Sequence, residues 1–405
     1  MSLINHEELK KQILSGEITS LEDITKEFKN ILKEVIQTAT QEELTSHLGY
    51  DKHQESNSSN ARNGYNEKTI NSKYGQFDVS IPRDRNSSFE PQLVKKREIY
   101  LDGTEDMILS LYTKGMSVRD IQLHLDDLYG YELSTQTISN ITEKVIEKAN
   151  EWQSRPLEAI YPIIFMDATV LKIRVDRVVK NIACYIMLGI TIEGKKEIIG
   201  IWIGENETSK YWLTVLNDIQ KRGVRDVLIF AIDGLNGFNE AIKAVYPKAE
   251  IQRCIVHQIR SSLRFVSWKD RKAVAKDLKP VYAALNEEDG QLALTEFNDT
   301  WGKKYPNITA SWQTHWAELS TFFKYPDSVR KLIYTTNPIE SLNATIKRKT
   351  KDKGSFPTQT SAFKVMYLAT QEQQEKWNRT SIRNWHEIYP QLCIFFSEIM
   401  SKYTK

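Results

Sequence analysis

Two aspartates occupy positions where a carboxylate is costly. Asp167 interrupts the apolar run Ile163-Ile164-Phe165-Met166 and is followed by Ala168 and Val170, while Asp233 ends VLIFAI and precedes Gly234. A charged group in such a run needs a partner or a metal. If the two strands are neighbours, the carboxylates face one another, and two anions that close repel unless a divalent cation lies between them. Simpler readings exist: Asp-Gly is an ordinary turn, and a buried salt bridge would satisfy Asp167. The third acid is Glu340, in NPIESLNATIKRKTK (337–351). Asn337 suits an N-cap, Pro338 the first helical position and Glu340 the third, so Glu340 either closes the helix start or joins the aspartates. Asn343 and Lys347 share its face and would point towards a phosphate. Oxygen-only ligands suit Mg²⁺ or Mn²⁺ rather than zinc. Two such ions about 4 Å apart can drive an in-line phosphoryl displacement without a side-chain nucleophile. A P-loop, a G-x-S-x-G elbow and a Cys-x-x-Cys pair are all missing, which removes the usual rival chemistries and any nucleotide cofactor.

The acids require a sheet to hold them. The segments 163–175, 182–192 and 196–204 are rich in β-branched and aromatic residues and predict an antiparallel meander, with DRVVKN and EGK as turns. ETSKYWLTVLNDIQKRG predicts a helix stopped by Gly223, VLIFAIDG (227–234) a central strand, NGFNEAIKAVYP a helix and AEIQRCIV (249–256) a last short strand. The order βββ-α-β-α-β is that of a ribonuclease-H-like fold: a mixed five-stranded sheet with helices on both faces, the first and fourth strands adjacent. Residues 260–334 show helical spacing throughout and predict an all-α insertion carrying Trp268, Trp301, Trp312 and Trp316. Those tryptophans either pack in a helical core or stack on an unpaired base. A long amphipathic helix is expected near 358–380.

Upstream, Ile24, Phe28, Ile31, Leu32, Val35 and Ile36 fall at helical spacing. The Gln/Ser/Asn-rich stretch 51–60 reads as a linker. Residues 61–85 read as short β or loop, with Arg62, Lys68, Lys73, Arg83 and Arg85 forming either a phosphate-contacting arm or a solvated linker. Residues 102–148 predict three helices: one ending at Gly115, one capped by Ser117 with Asp120, and one capped by Ser134. This is either a helix-turn-helix, with Thr135, Gln136, Ser139 and Asn140 reading bases, or a plain helical hairpin. The organisation expected is therefore N-terminal helices (1–60), a basic arm (61–100), a helix-turn-helix region (101–155), a first catalytic part (156–259), the helical insertion (260–334) and a last catalytic part (335–405).

Net charge is only +2, from Lys+Arg 55 against Asp+Glu 53, so the placement of charge matters more than its total. Between Ile251 and Pro280 eight cations, Arg260 among them, face Asp270 and Asp277; from Ser341 to Lys353 five, including Lys347 and Arg348, face Asp352 alone. Both clusters directly follow acid-bearing elements, as a site that must hold a polyanion requires. Cys254 and His257 resemble half of a zinc site without its other half. His257 is read instead as a phosphate contact, a partner behind a carboxylate, or a packed histidine. Three scattered cysteines, 40% apolar residues and no run of about twenty apolar residues indicate a globular chain of two or three domains in a reducing cytosol, without a membrane span or signal peptide.

Taken together, ARNGY (61–65), IPRDR (81–85), MDAT (166–169), the Asp-Gly at 233–234, CIVHQIR (254–260) and TTNPIESLNATIKRKTKDKGSFP (335–357) resemble the bacterial insertion-sequence transposases of the Mutator type. The likeness covers nearly the whole chain. It implies that Asp167, Asp233 and Glu340 are the family's DDE acids, and that Cys254 and His257 are its Cys/Asp-x-x-His pair. Pro338 departs from the small or aliphatic residue expected there. The resemblance implies an enzyme that binds the terminal inverted repeats of its element as a dimer, cuts the ends and joins 3′-hydroxyls to target double-stranded DNA with two divalent metals. A nuclease or junction resolvase on the same fold, or a DNA-binding regulator that has lost catalysis, are the alternatives. A bacterial, nucleoid-associated location is expected.

Overall fold

A computed structural model of the chain describes residues 10–11, 14–16, 18–54, 59–72, 74–95, 103–129, 131, 133–204, 208–234, 237–334 and 337–403. Lys73, Gly130, Glu132 and residues 55–58 of the expected linker lie outside the described residues. The chain divides into two compact units, Met1–Lys144 and Val145–Lys405. No described helix is long and apolar enough to cross a membrane.

In the first unit, α1 (Leu21–Leu48) opens on a capping box between Ser20 and Asp23 and ends at Gly49, which adopts the left-handed conformation. The basic stretch is an antiparallel hairpin of β1 (Arg62–Ser72) and β2 (Gly75–Asp84). Ile36 of α1 packs with Ile70, Val79, Ile81 and Val94, so this segment is a folded element and the solvated-linker reading is excluded. Three helices follow: α2 (Thr104–Thr113), α3 (Val118–Tyr129) and α4 (Thr135–Ser154), the last crossing into the second unit. The predicted caps are present. Ser117 and Asp120 exchange backbone and side-chain hydrogen bonds at 3.1 Å, Ser134 Oγ accepts from Thr137 N at 3.0 Å, and Gly115 has φ +99° just past α2.

The second unit is built on a five-stranded mixed sheet. Its strands are β3 (Ile160–Val175), β4 (Val178–Ile190), β5 (Lys196–Gly204), β6 (Asp226–Ile232) and β7 (Glu250–Arg253), in the spatial order β5-β4-β3-β6-β7. β3 pairs antiparallel with β4 and parallel with β6, so the expected adjacency of first and fourth strands holds. Between the strands lie α5 (Ser209–Lys221) and α6 (Phe238–Val245). Their apolar residues Trp212, Leu216, Phe238 and Ile242 cluster with Met166, Met187, Phe230 and Ile232 on one sheet face. Side chains alternate along a strand, so Asp167 emerges on the opposite face.

Two boundaries differ from expectation, each for a local reason. DRVVKN is mostly strand: the turn is only Asp176-Arg177, both at positive φ (51° and 64°), and Val178 already pairs with Val175. Polar composition resembles a loop there because both faces of this end are exposed. The last strand stops at Arg253, and Ile255 and Val256 begin α7 (Ile255–Arg264). An apolar pair cannot report which period it belongs to.

Residues 260–334 contain helices and no strand among the described residues: the rest of α7, then α8 (Arg271–Ala283), α9 (Glu287–Trp301), α10 (Pro306–Thr314), α11 (Trp316–Leu319) and α12 (Asp327–Ile333). Three of the four tryptophans are structural. Trp301, Trp312 and Trp316 donate their indole N–H to Asp277, Ser262 and Glu287, each at 2.9 Å. Trp268 is 87% exposed. The chain closes with α13 (Asn337–Thr350), α14 (Gln359–Trp377), α15 (Trp385–Phe395) and α16 (Ser397–Met400). Phe356, between α13 and α14, pairs with β3 at Ile173, beyond the point where β6 has ended.

Candidate metal centre

Asp167 is 5% exposed and faces α13. Its Oδ1 accepts from the Ala168 N–H at 2.7 Å, and its Oδ2 accepts from Asn343 Nδ2 at 2.5 Å. Burial, then the charge of Asp233, pushes its carboxyl above the usual range; the Ala168 N–H, the His257 charge and Asn343 oppose this. Asp233 follows β6 directly. The last register pair, Met166↔Ile232, carries both aspartates forward to the same level.

The third member is His257. The chain leaves β7 with the Cys254 N–H bonded to the Ile232 carbonyl at 2.8 Å, which ties the start of α7 to the end of β6. One turn on, His257 Nδ1 is 2.8 Å from Asp233 Oδ1 and Nε2 is 3.5 Å from Glu340 Oε1. Burial disfavours its protonation, but hydrogen bonds to Asp233 and Cys254 outweigh this, and with the charge of Asp233 they push the imidazole up to about 10. Asp167, Asp233 and His257 bring ligand atoms within 4.8 Å of one another. Cys254, buried against His257, is not among them.

Glu340 reaches this group through His257. Its Oε1 also accepts from Arg260 NH1 at 2.8 Å, and that guanidinium lies 3.3 Å from His257 Nε2. The carboxylates are thus counterbalanced by one imidazolium and one guanidinium. The carboxylate oxygens of Asp167 and Asp233 are donors that suit a hard divalent cation, while Glu340 is held one step away by His257 and Arg260.

Several other expected site residues have partners within the chain, and the rest are exposed. Asn343 is 5% exposed and holds Asp167, where sequence spacing suggested a phosphate contact; nothing in its spacing distinguishes the two. Arg260 engages Glu340. Arg62 donates to Thr45 Oγ1 at 3.0 Å and to the Tyr50 carbonyl at 2.9 Å inside its own unit. Lys347 and Arg348 are exposed on α13, and Lys349 pairs with Glu372. Thr135, Gln136 and Asn140 are exposed and Ser139 partly so, with Gln136 Nε2 donating to Asn140 Oδ1 at 2.9 Å. The Asn337 side chain, expected as a cap, lies outside the described residues.

An open cleft of about 390 Å³ leads away from Asp233 along α7, past Arg253, His257, Arg260 and Arg264. At its head Gly234 has φ +58°, and a Cβ there would come within 2.4 Å of the Arg253 guanidinium. Gly234→Ala is therefore expected to cost roughly 1–2 kcal/mol from the left-handed backbone alone. It should also displace Arg253 or Asp233. Urea denaturation together with metal titration checks this, with both midpoint and affinity expected to fall.

The family model described as "Transposase, Mutator family" matches residues 4–380. A Sinorhizobium fredii protein described as "Probable transposase for insertion sequence element ISRM3-like" is 41% identical over 396 residues, covering 96% of this chain and 98% of the relative. The "Transposase for insertion sequence element ISRM3" of Rhizobium meliloti is 41% identical over the same shares. The "Transposase for insertion sequence element IS905" of Lactococcus lactis is 36% identical over 86% of this chain and 89% of its own length.

Proposed function

Because the chain belongs to the Mutator family of transposases, we propose that it binds the terminal inverted repeats of an insertion sequence, cuts its ends and joins them to target DNA at the Asp167–Asp233–Glu340 centre. The observation that carries this reading is the meeting of Asp167, Asp233 and His257 within 4.8 Å, with Glu340 on the other side of the imidazole. The strand order β5-β4-β3-β6-β7, with α5 and α6 packed on one face and Asn343 of α13 reaching Asp167 on the other, supports a ribonuclease-H-like core; the six-part organisation read from the sequence is proposed with it.

Asp167, Asp233 and Glu340 would hold two divalent cations of the Mg²⁺ or Mn²⁺ kind, which when bound polarise the phosphate and lower the pKa of an attacking water or hydroxyl. Asn343 and the Ala168 N–H fix the Asp167 carboxylate in one rotamer, so it need not reorganise as charge develops. His257 aligns Asp233 and Glu340. Arg253 and Arg264, with exposed Lys347 and Arg348, supply the positive field that draws a polyanion towards three carboxylates. Arg260 neutralises Glu340 and borders the same cleft. The start of α4, with Thr135, Gln136, Ser139 and Asn140, is the proposed base-reading surface of a helix-turn-helix. Arg62 serves the fold of the hairpin that carries the other arm cations. Two chains would bridge two ends as a homodimer on the bacterial nucleoid.

The test is an end-joining assay with labelled repeat-end duplexes, supercoiled target and Mg²⁺. Nicks leaving 3′-hydroxyls at the ends, followed by covalent attachment to target, are expected. Hydrolysis without attachment would contradict strand transfer and favour the resolvase alternative. Binding without either product would favour a silent regulator.

A further inference from the structure

The hairpin between β3 and β4 runs on beyond the sheet that holds the acids. β6 stops pairing with β3 at Met166, and β5 pairs with β4 only from Ala183 onwards. Residues 170–182 therefore form a two-stranded ribbon, steadied by Phe356 alongside Ile173. Leu171, Ile173 and Ile182 bury its inner side. The outer side is open: Val170 is 62% and Val179 46% exposed, with Lys172 and Arg174 between them in alternation. Arg177 and Lys180 are exposed at the tip, so four cations face the single anion Asp176.

We propose that this ribbon is a duplex-DNA contact, lying in a groove of the DNA bound at the acid centre; the inference rests on the transposase reading. Three observations carry it. The first is fit: a two-stranded β-ribbon is one of the two protein elements that the major groove admits, and exposed valines match thymine methyls. The second is charge, since cations on a protruding rigid element meet phosphates on both sides of a groove. The third is the turn. Asp176 and Arg177 both have positive φ, 51° and 64°, where such a tight hairpin prefers glycine in the second place. An arginine kept there strains the backbone and sets a guanidinium at the outermost point.

Position limits the contact. At about 3.3 Å per residue along β3, Lys172 lies about 17 Å and the turn about 30 Å from Asp167. At about 3.4 Å per base pair, the ribbon therefore meets the duplex no more than about nine base pairs from the reacting phosphate.

The test measures binding of full-length protein to a fluorescent repeat-end duplex in EDTA, so loss of metal chemistry moves nothing. The combined variant Lys172→Ser, Arg174→Ser, Lys180→Ser should weaken binding about tenfold or more near physiological salt, and make the salt dependence shallower by about one unit per lost phosphate contact. The difference from wild type should vanish when the duplex is shortened, from one side or the other, to within four base pairs of the cut. Arg177→Gly relaxes the turn, so its thermal midpoint should hold or rise while its affinity falls severalfold. Variants that melt like wild type yet bind the long duplex with unchanged affinity and salt slope overturn the proposal. Wild-type protein that binds no repeat-end duplex overturns the transposase reading with it.

Discussion

Asp167→Asn is expected to lose cleavage and joining by at least about a thousandfold while melting a few degrees higher than wild type in the absence of divalent metal. The two effects have one cause. Asp167 is buried beside Asp233, and its raised carboxyl shows that the folded protein resists its charge. An amide of the same shape removes that charge. Asn343 can turn its unpartnered Oδ1 to accept from the new amide, while the Ala168 N–H keeps its acceptor. Strain of this kind at a functional site is commonly relieved at the expense of activity. The loss of rate follows from cation binding: metal stabilisation of a transferring phosphoryl group supplies several kcal/mol, and each 1.4 kcal/mol is tenfold. Repeat-end binding should be retained, because the substitution removes none of the cations that would meet the DNA. Differential scanning of the metal-free protein beside a cleavage assay reads both effects. A variant that cuts normally, or one that is destabilised and still binds Mg²⁺, would contradict the assignment.

His257→Ala should lower cleavage about ten- to a hundredfold, the usual cost of removing a group that orients metal ligands, and should erase a specific pH dependence. The folded imidazole titrates near 10 against an ordinary 6.5. Below pH 6.5 it is protonated in folded and unfolded chains alike, and its pairing with Asp233 contributes in full. Between 6.5 and about 10 the unfolded chain gives up the proton and the folded one keeps it, so the contribution shrinks as pH rises and is gone above about 10. Urea titrations of the metal-free proteins from pH 6 to 10 should show the wild-type advantage over His257→Ala narrowing steadily. A constant or widening advantage would mean that the imidazole is neutral at the centre.

Asp167 is legible in the sequence because an acid inside an apolar strand has few structural uses, and the strand order follows from β-branched runs separated by helical spacing. The insertion is legible for the same reason. What escapes is direction. Whether Asn343 faces a phosphate or Asp167 depends on how α13 rolls against β3, and a helical repeat does not encode roll about a partner. Arg260 and His257 are visible as cations near the site, yet their capture by Glu340 depends on α7 and α13 meeting across eighty residues of chain. The hairpin between the first two strands is legible, but its reach is not: DRVVKN has loop-like composition, and only the left-handed pair Asp176 and Arg177 confines the turn to two residues and extends the second strand back to Val178. Glu340 is the clearest case. Its spacing suits a helix cap and an active-site acid equally, and in the structure it lies beside His257 and Arg260.

The most direct test is anomalous scattering from crystals of the wild-type protein soaked in MnCl₂. Manganese is expected bound by carboxylate oxygens of both Asp167 and Asp233, with Glu340 turned from Arg260 into coordinating reach. Manganese elsewhere, or bound there with Glu340 still held by Arg260 and out of reach, would contradict it.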